Sequence, residues 1–324
     1  MKDSALYYSV GALLYCPANN ETICDSIIHN KFVKPFSLAL CLEDTIPDHL
    51  VLQAEQICYH SLLNIWNASE KQEFYLPKIF IRIRNPEQML RLYHHLGELM
   101  SLICGFIVPK FALDNADAYI HNLCEINSTS KQPVYMMPIY ESSSIIDLRT
   151  RYDILYTLKE KIDAIEKWIL NIRVGGNDLC HVFGYRRHAD ESIHQIKPIA
   201  SIFSDINTIY GRDYVISGAV WEYFDGAYWE EGLREEIMQD KLCGFIGKTV
   251  IHPKQIPVVN SAYAVHITDY KSAKAILNWD STSKTLVSSD PQKVRMNEYK
   301  THANWAKKIM LIAEHYGITI NDEC

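Results

Sequence analysis

Short apolar runs alternate with longer stretches of helical periodicity along most of this chain. "YYSVGALLYC" leads into a helical pattern from about Glu21 to Lys31, and "FSLALCLED" into one from about His49 to Trp66. "PKIFIRIRN" precedes "PEQMLRLYHHLGELMSL", with Pro86 at a first helical position. "CGFIVPK" precedes "LDNADAYIHNLCEIN", where Asp114 is a candidate cap. "PVYMMPIYE" precedes three serines and "TRYDILYTLKEKIDAIEKW". "ILNIRVGGNDL" precedes a long polar loop and then "IASIFSDINTIYG". "DYVISGAV" and "GKTVIHP" precede "EEGLREEIMQDKLC" and "KQIPVVNSAYAVH".

Eight strand candidates, each followed by a helix candidate, predict an α/β fold, a (β/α)8 TIM barrel over residues 1–266. The strands are continuous apolar runs, as strands covered on both faces should be. A doubly wound parallel sheet is the alternative. Residues 267–324 are expected to form a C-terminal helical extension: a helix from about Ala273, the loop "STSKTLVSSDPQK" and a last helix near Asn297–Tyr316. This tail reads as a lid or an oligomer contact, and a homo-oligomer is the expected assembly.

Composition narrows the partners. The net charge of -7 argues against a nucleic-acid-binding surface. Nine cysteines form no C-x-x-C pair and sit in apolar contexts such as "LLYC", "LALC" and "LICGF". They read as reduced, buried thiols of a cytoplasmic protein. The first apolar run mixes small and aromatic residues and ends in Pro-Ala-Asn-Asn, so it is expected to be a strand and not a secretory leader. No apolar segment reaches the roughly 18 residues that a membrane span needs.

The polar residues fall at the predicted C-terminal strand ends, where barrels of this kind carry their chemistry. Strand two ends in Glu43-Asp44, strand three in Arg82, Arg84 and Asn85, and strand four in Pro109-Lys110. Strand five ends in Glu141, strand six in Gly175-Gly176-Asn177-Asp178, and strand eight in His252. Glu141 and Asp178 come from adjacent strands, with no cysteine partner near. Two such carboxylates suit a hard cation such as Mg2+, which keeps several waters. Each could instead cap the helix that follows. Arg82 and Arg84 share a face by the strand period of two, so a bound carboxylate or phosphate, or an ion pair with Glu43 or Asp44, is expected there. "GFIGKT" lacks the P-loop glycine, since Leu242 stands in its place, and it precedes a strand instead of following one. His94-His95 read as surface residues, and His181, His188 and His194 lack zinc-ligand spacing.

These segments resemble, in order, the motifs of the citrate lyase β-subunit, malyl-CoA lyase and HpcH/HpaI aldolase superfamily. "LLYCPANN" is similar to its Y-x-P-(A/G), "CLEDTIP" to D-L-E-D-(A/S)-V, "FIRIRN" to V-R-V-N and "GFIVPK" to G-(I/L)-x-L-P-K. "PIYES" is similar to P-x-I-E-(T/S), "VGGNDL" to G-x-x-D-L, and "YFDGAYWEEGLREE" to F-D-G followed by an acidic helix. "GFIGKTVIHPKQIPVVN" is the longest and most specific match, and the likeness covers about residues 9 to 262. "IRVGGNDLCHVFGYRR" looks most like the divergent bacterial branch found with tellurium-resistance and stress-response genes.

The resemblance implies a magnesium-dependent C–C bond lyase acting through an enolate on a small anionic oxo- or hydroxy-acid. It implies Glu141 and Asp178 as metal ligands and Arg82 as the substrate-holding arginine. Glu43 and Asp44 match the acidic pair near the metal, while Lys110, Asp225 and His252 fall in matching motifs. Gly176 and Asn177 lie beside the metal ligand, and Arg186 and Arg187 would approach the substrate from the loop. Phe111 stands where the family often has glutamate. Val10-Gly11-Ala12 replace the first-strand arginine of acyl-CoA members, which counts against a coenzyme A thioester as partner. Two rival readings are phosphate or phosphonate chemistry on a pyruvate-like substrate, and a catalytically silent barrel that binds a ligand or serves as a scaffold.

Overall fold

The computed structural model describes residues 2–279, 285–290 and 293–320. Eight parallel strands carry the fold: β1 (Ala12–Pro17), β2 (Ser37–Cys41), β3 (Lys78–Arg82), β4 (Ile103–Val108), β5 (Tyr135–Tyr140), β6 (Ile172–Val174), β7 (Ile216–Ser217) and β8 (Lys248–Val250). They follow one another in chain order, with β8 returning to pair with β1. A bridge between Gly218 and Lys248 closes the ring between β7 and β8. This is the expected TIM barrel and not the doubly wound sheet.

Before β1 lies the helical turn α1 (Ala5–Tyr8). Tyr7 and Tyr8 therefore precede the first strand and do not open it; Ser4 caps this turn by accepting from Leu6 N. The helices after the strands are α2 (Ile23–Ile28), α3 (Val51–Ser69), α4 (Pro86–Leu96), α5 (Ala116–Thr129), α6 (Arg151–Asp163), α7 (Gly176–Phe183), α8 (Lys197–Tyr210), α9 (Trp229–Leu242) and α10 (Gln255–Tyr263). Pro86 is the first residue of α4, and the Asn85 side chain accepts from Gln88 N at 2.8 Å. Asn115, not Asp114, stands at the start of α5.

Strand alternation splits the core in two. Leu13, Ala39, Phe80, Ile107, Met137 and Ile139 fill the barrel interior. A larger apolar layer lies between strands and helices. Closer to the C-terminal strand ends the interior turns polar, with Tyr15, Arg82, Arg173 and Thr249.

Outside the barrel, between β8 and α9, sits an ion network whose lysine, arginine and carboxylates are buried. Lys248 Nζ lies 2.9 Å from Glu236 and 2.7 Å from Asp240. Arg187 pairs with Glu236 at 3.2 Å, and His194 meets Asp240 at 2.8 Å. Glu236 also accepts from Ile193 N at 2.7 Å. The lysine of the P-loop-like "GFIGKT" is thus a bolt between strand and helix.

After the barrel come the short strand β9 (Val265–His266), α11 (Ile267–Leu277), a hairpin of β10 (Val287–Ser289) and β11 (Met296–Glu298), then α12 (Tyr299–Tyr316) and β12 (Ile318–Thr319). The extension helix begins at Ile267, earlier than Ala273, and the expected loop is partly this hairpin and partly outside the described residues. α12 packs on α1 and α10, and His315 fills the space beside Gly11, where a Cβ would meet its Nε2 at 2.5 Å. Gly11 precedes β1, so the extension caps the N-terminal end of the barrel. It stands opposite the carboxylate-bearing end of the same chain.

Replacing Lys248 with methionine should cost about 3–5 kcal/mol of unfolding free energy, because Glu236 and Asp240 would stay buried with too little positive charge. Urea denaturation of Lys248→Met measures this. A loss below about 1 kcal/mol would mean that the network is as weak as a surface pair.

Candidate active site

The mouth of the barrel is a cavity of about 380 Å³. Asp44, Arg82, Glu141, Gly176, Asn177 and Asp178 all line it, together with Tyr15, Arg173 and Thr249. Strand period explains the gathering: Cys41 pairs with Arg82 and Arg82 with Ile107, so successive strands deliver inward positions to one level.

Arg82 is the hub. Its Nη2 lies 2.6 Å from Glu43 Oε2, 2.9 Å from Asp44 Oδ2 and 3.7 Å from Glu141 Oε1. Lys110 Nζ bonds Glu43 Oε1, reaches Asp44 Oδ1 at 3.1 Å and stands 3.9 Å from Asp178 Oδ1. Lys110 adopts φ +49°, a strained conformation for a side-chain-bearing residue. The strain is held from both sides. Its N–H donates to Glu141 Oε1 at 3.0 Å, and its carbonyl accepts from the Asn115 amide at 3.0 Å.

Glu141 is almost wholly buried, at 5% exposure. Burial pushes its carboxyl up to about 8; Asp178 and Glu43 add to this and Arg82 opposes it. Burial also raises Glu43, against the pull of Arg82. For Asp44 the burial effect is outweighed by its bonds with Glu43, Arg82 and Lys110, and its carboxyl is held low.

Four carboxyl groups therefore face Arg82 and Lys110, and ionising all four would leave two negative charges unmatched by that pair. Glu141 Oε2 accepts no hydrogen bond from the described residues. A Cβ at Gly175 would stand 2.0 Å from that oxygen, so only glycine lets the carboxylate occupy its place. Among the described residues no three acidic, histidine or cysteine side chains form a closed metal cage. The donor set is what magnesium takes, one or two carboxylates with the remaining positions left to water and substrate oxygens.

Two sequence expectations change here. No polar loop follows the glycines directly: α7 starts at Gly176, and Asp178 occupies its first turn. Arg84 does not share the inward face, because β3 ends at Arg82. Its guanidinium instead braces the turn after β2, donating to the carbonyls of Leu42 at 3.1 Å and Ile46 at 3.0 Å and pairing with Asp48.

Four more expected substrate contacts lie outside the cavity. Arg187 is spent on Glu236 and the Val220 carbonyl, under the Trp221 ring. Arg186 is exposed and stands 3.6 Å from Glu222. Asp225 is exposed and pairs with Lys254 at 2.8 Å. His252 stacks on Phe224, with centroids 4.6 Å apart. Arg173, Tyr15 and Thr249 went unnoticed in the sequence. An arginine between Ile172 and Val174 on a buried strand was the available signal, the same one that marks Arg82.

Among the described residues, no helix is long and apolar enough to cross a membrane. No curated protein matches the sequence. Among solved structures, CitE from Mycobacterium tuberculosis in complex with magnesium, acetoacetate and coenzyme A superposes with a TM-score of 0.61 at 17% identity, covering 95% of this chain and 99% of that one. The citrate lyase beta subunit from the same organism, complexed with oxaloacetate and magnesium, gives 0.52 at 18% identity, with 80% and 98% covered. RipC from Yersinia pestis gives 0.53 at 18% identity, with 79% and 95% covered. At these identities the likeness speaks for the fold. The family model for C–C bond lyases of the TIM-barrel fold matches residues 4–318, nearly the whole sequence, and the chain belongs to that family.

Proposed function

We propose that this protein is a magnesium-dependent lyase that breaks, or in reverse forms, a C–C bond beside the carbonyl of a small anionic oxo- or hydroxy-acid. The observation that carries this reading is the Glu141 carboxylate, buried except towards the cavity and with no hydrogen bond to Oε2 from the described residues, beside Asp178 in a cluster of four carboxyl groups that only Arg82 and Lys110 pair with. Glu141 and Asp178 would hold the ion. Bound there, magnesium supplies a Lewis acid for the negative charge that collects on a carbonyl oxygen as the enolate forms. The magnesium-bound structures of the relatives support the same choice.

The chain's own residues do the rest. The shortest acidic contacts of Arg82 all fall on Nη2, and its Nε has no hydrogen-bond partner among the described residues, so the guanidinium keeps donor capacity for a substrate oxygen. Asp44 lines the cavity, so it is the carboxylate placed to accept the substrate's hydroxyl proton when the C–C bond breaks. Glu43 and Lys110 hold Asp44 in position. The buried thiols fit a cytoplasmic enzyme, and the motif around Asp178 supports the tellurium-resistance branch. A homo-oligomer remains part of this proposal.

Asp178→Asn should keep the fold, since the amide is nearly isosteric, and should lose magnesium binding. Turnover should drop about a hundredfold or more, the scale of losing one strong electrostatic contribution. Calorimetric titration with magnesium and a melting curve test this together. Parent-like magnesium affinity in the variant would reduce Asp178 to a helix-start residue.

Glu141 also sets a pH dependence. Its folded-state carboxyl lies near 8, above the ordinary 4.5. A raised carboxyl favours the folded state fully below about pH 4.5, and that contribution fades as pH rises through about 8. Magnesium binds the ionised form, so its stabilising effect should grow over the same window. Melting temperatures with and without magnesium at pH 6 and pH 8 should show this trend, and Glu141→Gln should flatten it. Equal magnesium stabilisation at both pH values in the parent would contradict the assignment.

A further inference from the structure

We propose that Arg173 is a second anion-binding residue of this cavity, and that the substrate carries two anionic groups, one at the Glu141–Asp178 end and one on the Arg173 guanidinium. This rests on the lyase reading of the same cavity and adds a substrate class to it.

Four arginines are buried among the described residues: Arg82, Arg151, Arg173 and Arg187. Arg82 pairs with Glu43, Arg151 with Asp205 at 2.8 Å, and Arg187 with Glu236. Arg173 differs. At 2% exposure it has no acidic partner among the described residues. It donates to Thr249 Oγ1 at 2.6 Å and, at the limit, to Asn171 Oδ1 at 3.5 Å. Its other polar neighbours are the phenols of Tyr15, Tyr263 and Tyr316. All of these partners are neutral at ordinary pH.

A buried charge without a counter-charge is costly, and an apolar residue of similar length would fill the same space more cheaply. Folding alone gives no reason for arginine here. The position gives one. Arg173 lies on β6 two residues before Gly175, the residue against which Glu141 rests, and it lines the same cavity as Glu141 and Asp178. One part of the cavity lacks positive charge and another lacks negative charge. A ligand with a metal-seeking oxo-acid group at one end and an oxyanion at the other satisfies both. The planar guanidinium grips a carboxylate or a phosphonate through paired hydrogen bonds. A cavity of about 380 Å³ is near the low end for ligand sites, which fits an acid of few carbons.

The test uses the full chain with magnesium and calorimetric titration of pyruvate, oxaloacetate, 2-oxoglutarate and phosphonopyruvate. At least one two-anion acid should bind roughly tenfold or more tightly than pyruvate, the scale of a hydrogen-bonded charge. Whether the dicarboxylates or the phosphonate are preferred identifies the second anion. Arg173→Met should bring the preferred acid to the level of pyruvate, while magnesium and pyruvate affinities stay as in the parent. Its melting temperature without ligand should equal or exceed the parent's, because an unpaired buried charge has gone. Arg173→Lys should recover only part of the preference.

The assignment is overturned if no two-anion acid is preferred. It is also overturned if Arg173→Met keeps the preference, or if both variants melt well below the parent as a structural arginine would require. Arg173-dependent binding of a two-anion acid in a protein that binds no magnesium would sink the lyase reading and leave this assignment standing.

Discussion

The contact of Arg82 with Glu43, Asp44 and Glu141 is the condition for everything else at the mouth of this barrel. Four carboxylates crowd one strand-end surface, and their mutual repulsion would scatter them without a cation in their midst. Arg82 comes from a buried strand, where its guanidinium has little freedom to leave. Lys110 ties the same carboxylates from the next strand end, at the cost of a strained backbone. The compensation is incomplete, and that incompleteness is the ground on which a divalent cation is proposed here.

The fold keeps this electrostatic tension apart from its own stability. Lys248, Glu236, Asp240, Arg187 and His194 form a second network on the outside of the barrel, in which each carboxylate meets two basic side chains. It clamps β8, α9 and the segment after α7 together. The C-terminal extension seals the far end through α12, with Tyr316 stacked on Tyr263 at 5.2 Å. Residues at the mouth are therefore free to be chosen for chemistry.

How much of this was legible in the sequence depended on range. The eight strands were readable because strands covered on both faces leave unbroken apolar runs, and the acid pairs stood out against them. Glu43, Asp44, Arg82, Lys110, Glu141 and Asp178 do come together, as their strand-end positions implied. Contacts that depend on distant partners were not readable. Arg186 and Arg187 look alike in "GYRR", yet Arg187 is buried because Glu236, 49 residues on, reaches it, while Arg186 stays in solvent. Gly175-Gly176 reads as a breaker, but with the strand ended and Glu141 pressed against Gly175, the chain can turn straight into α7. Arg173 was hidden by its own context, a single charge inside an apolar strand.

The most direct test of the central claim is crystallographic. Manganese can stand in for magnesium and gives anomalous scattering that locates it. Crystals soaked in manganese should show one strong anomalous peak in the barrel mouth, about 2.0–2.2 Å from oxygens of both Glu141 and Asp178. An empty mouth, or a peak held only by surface acids such as Asp225, would contradict the claim that this carboxylate cluster is built for a metal ion.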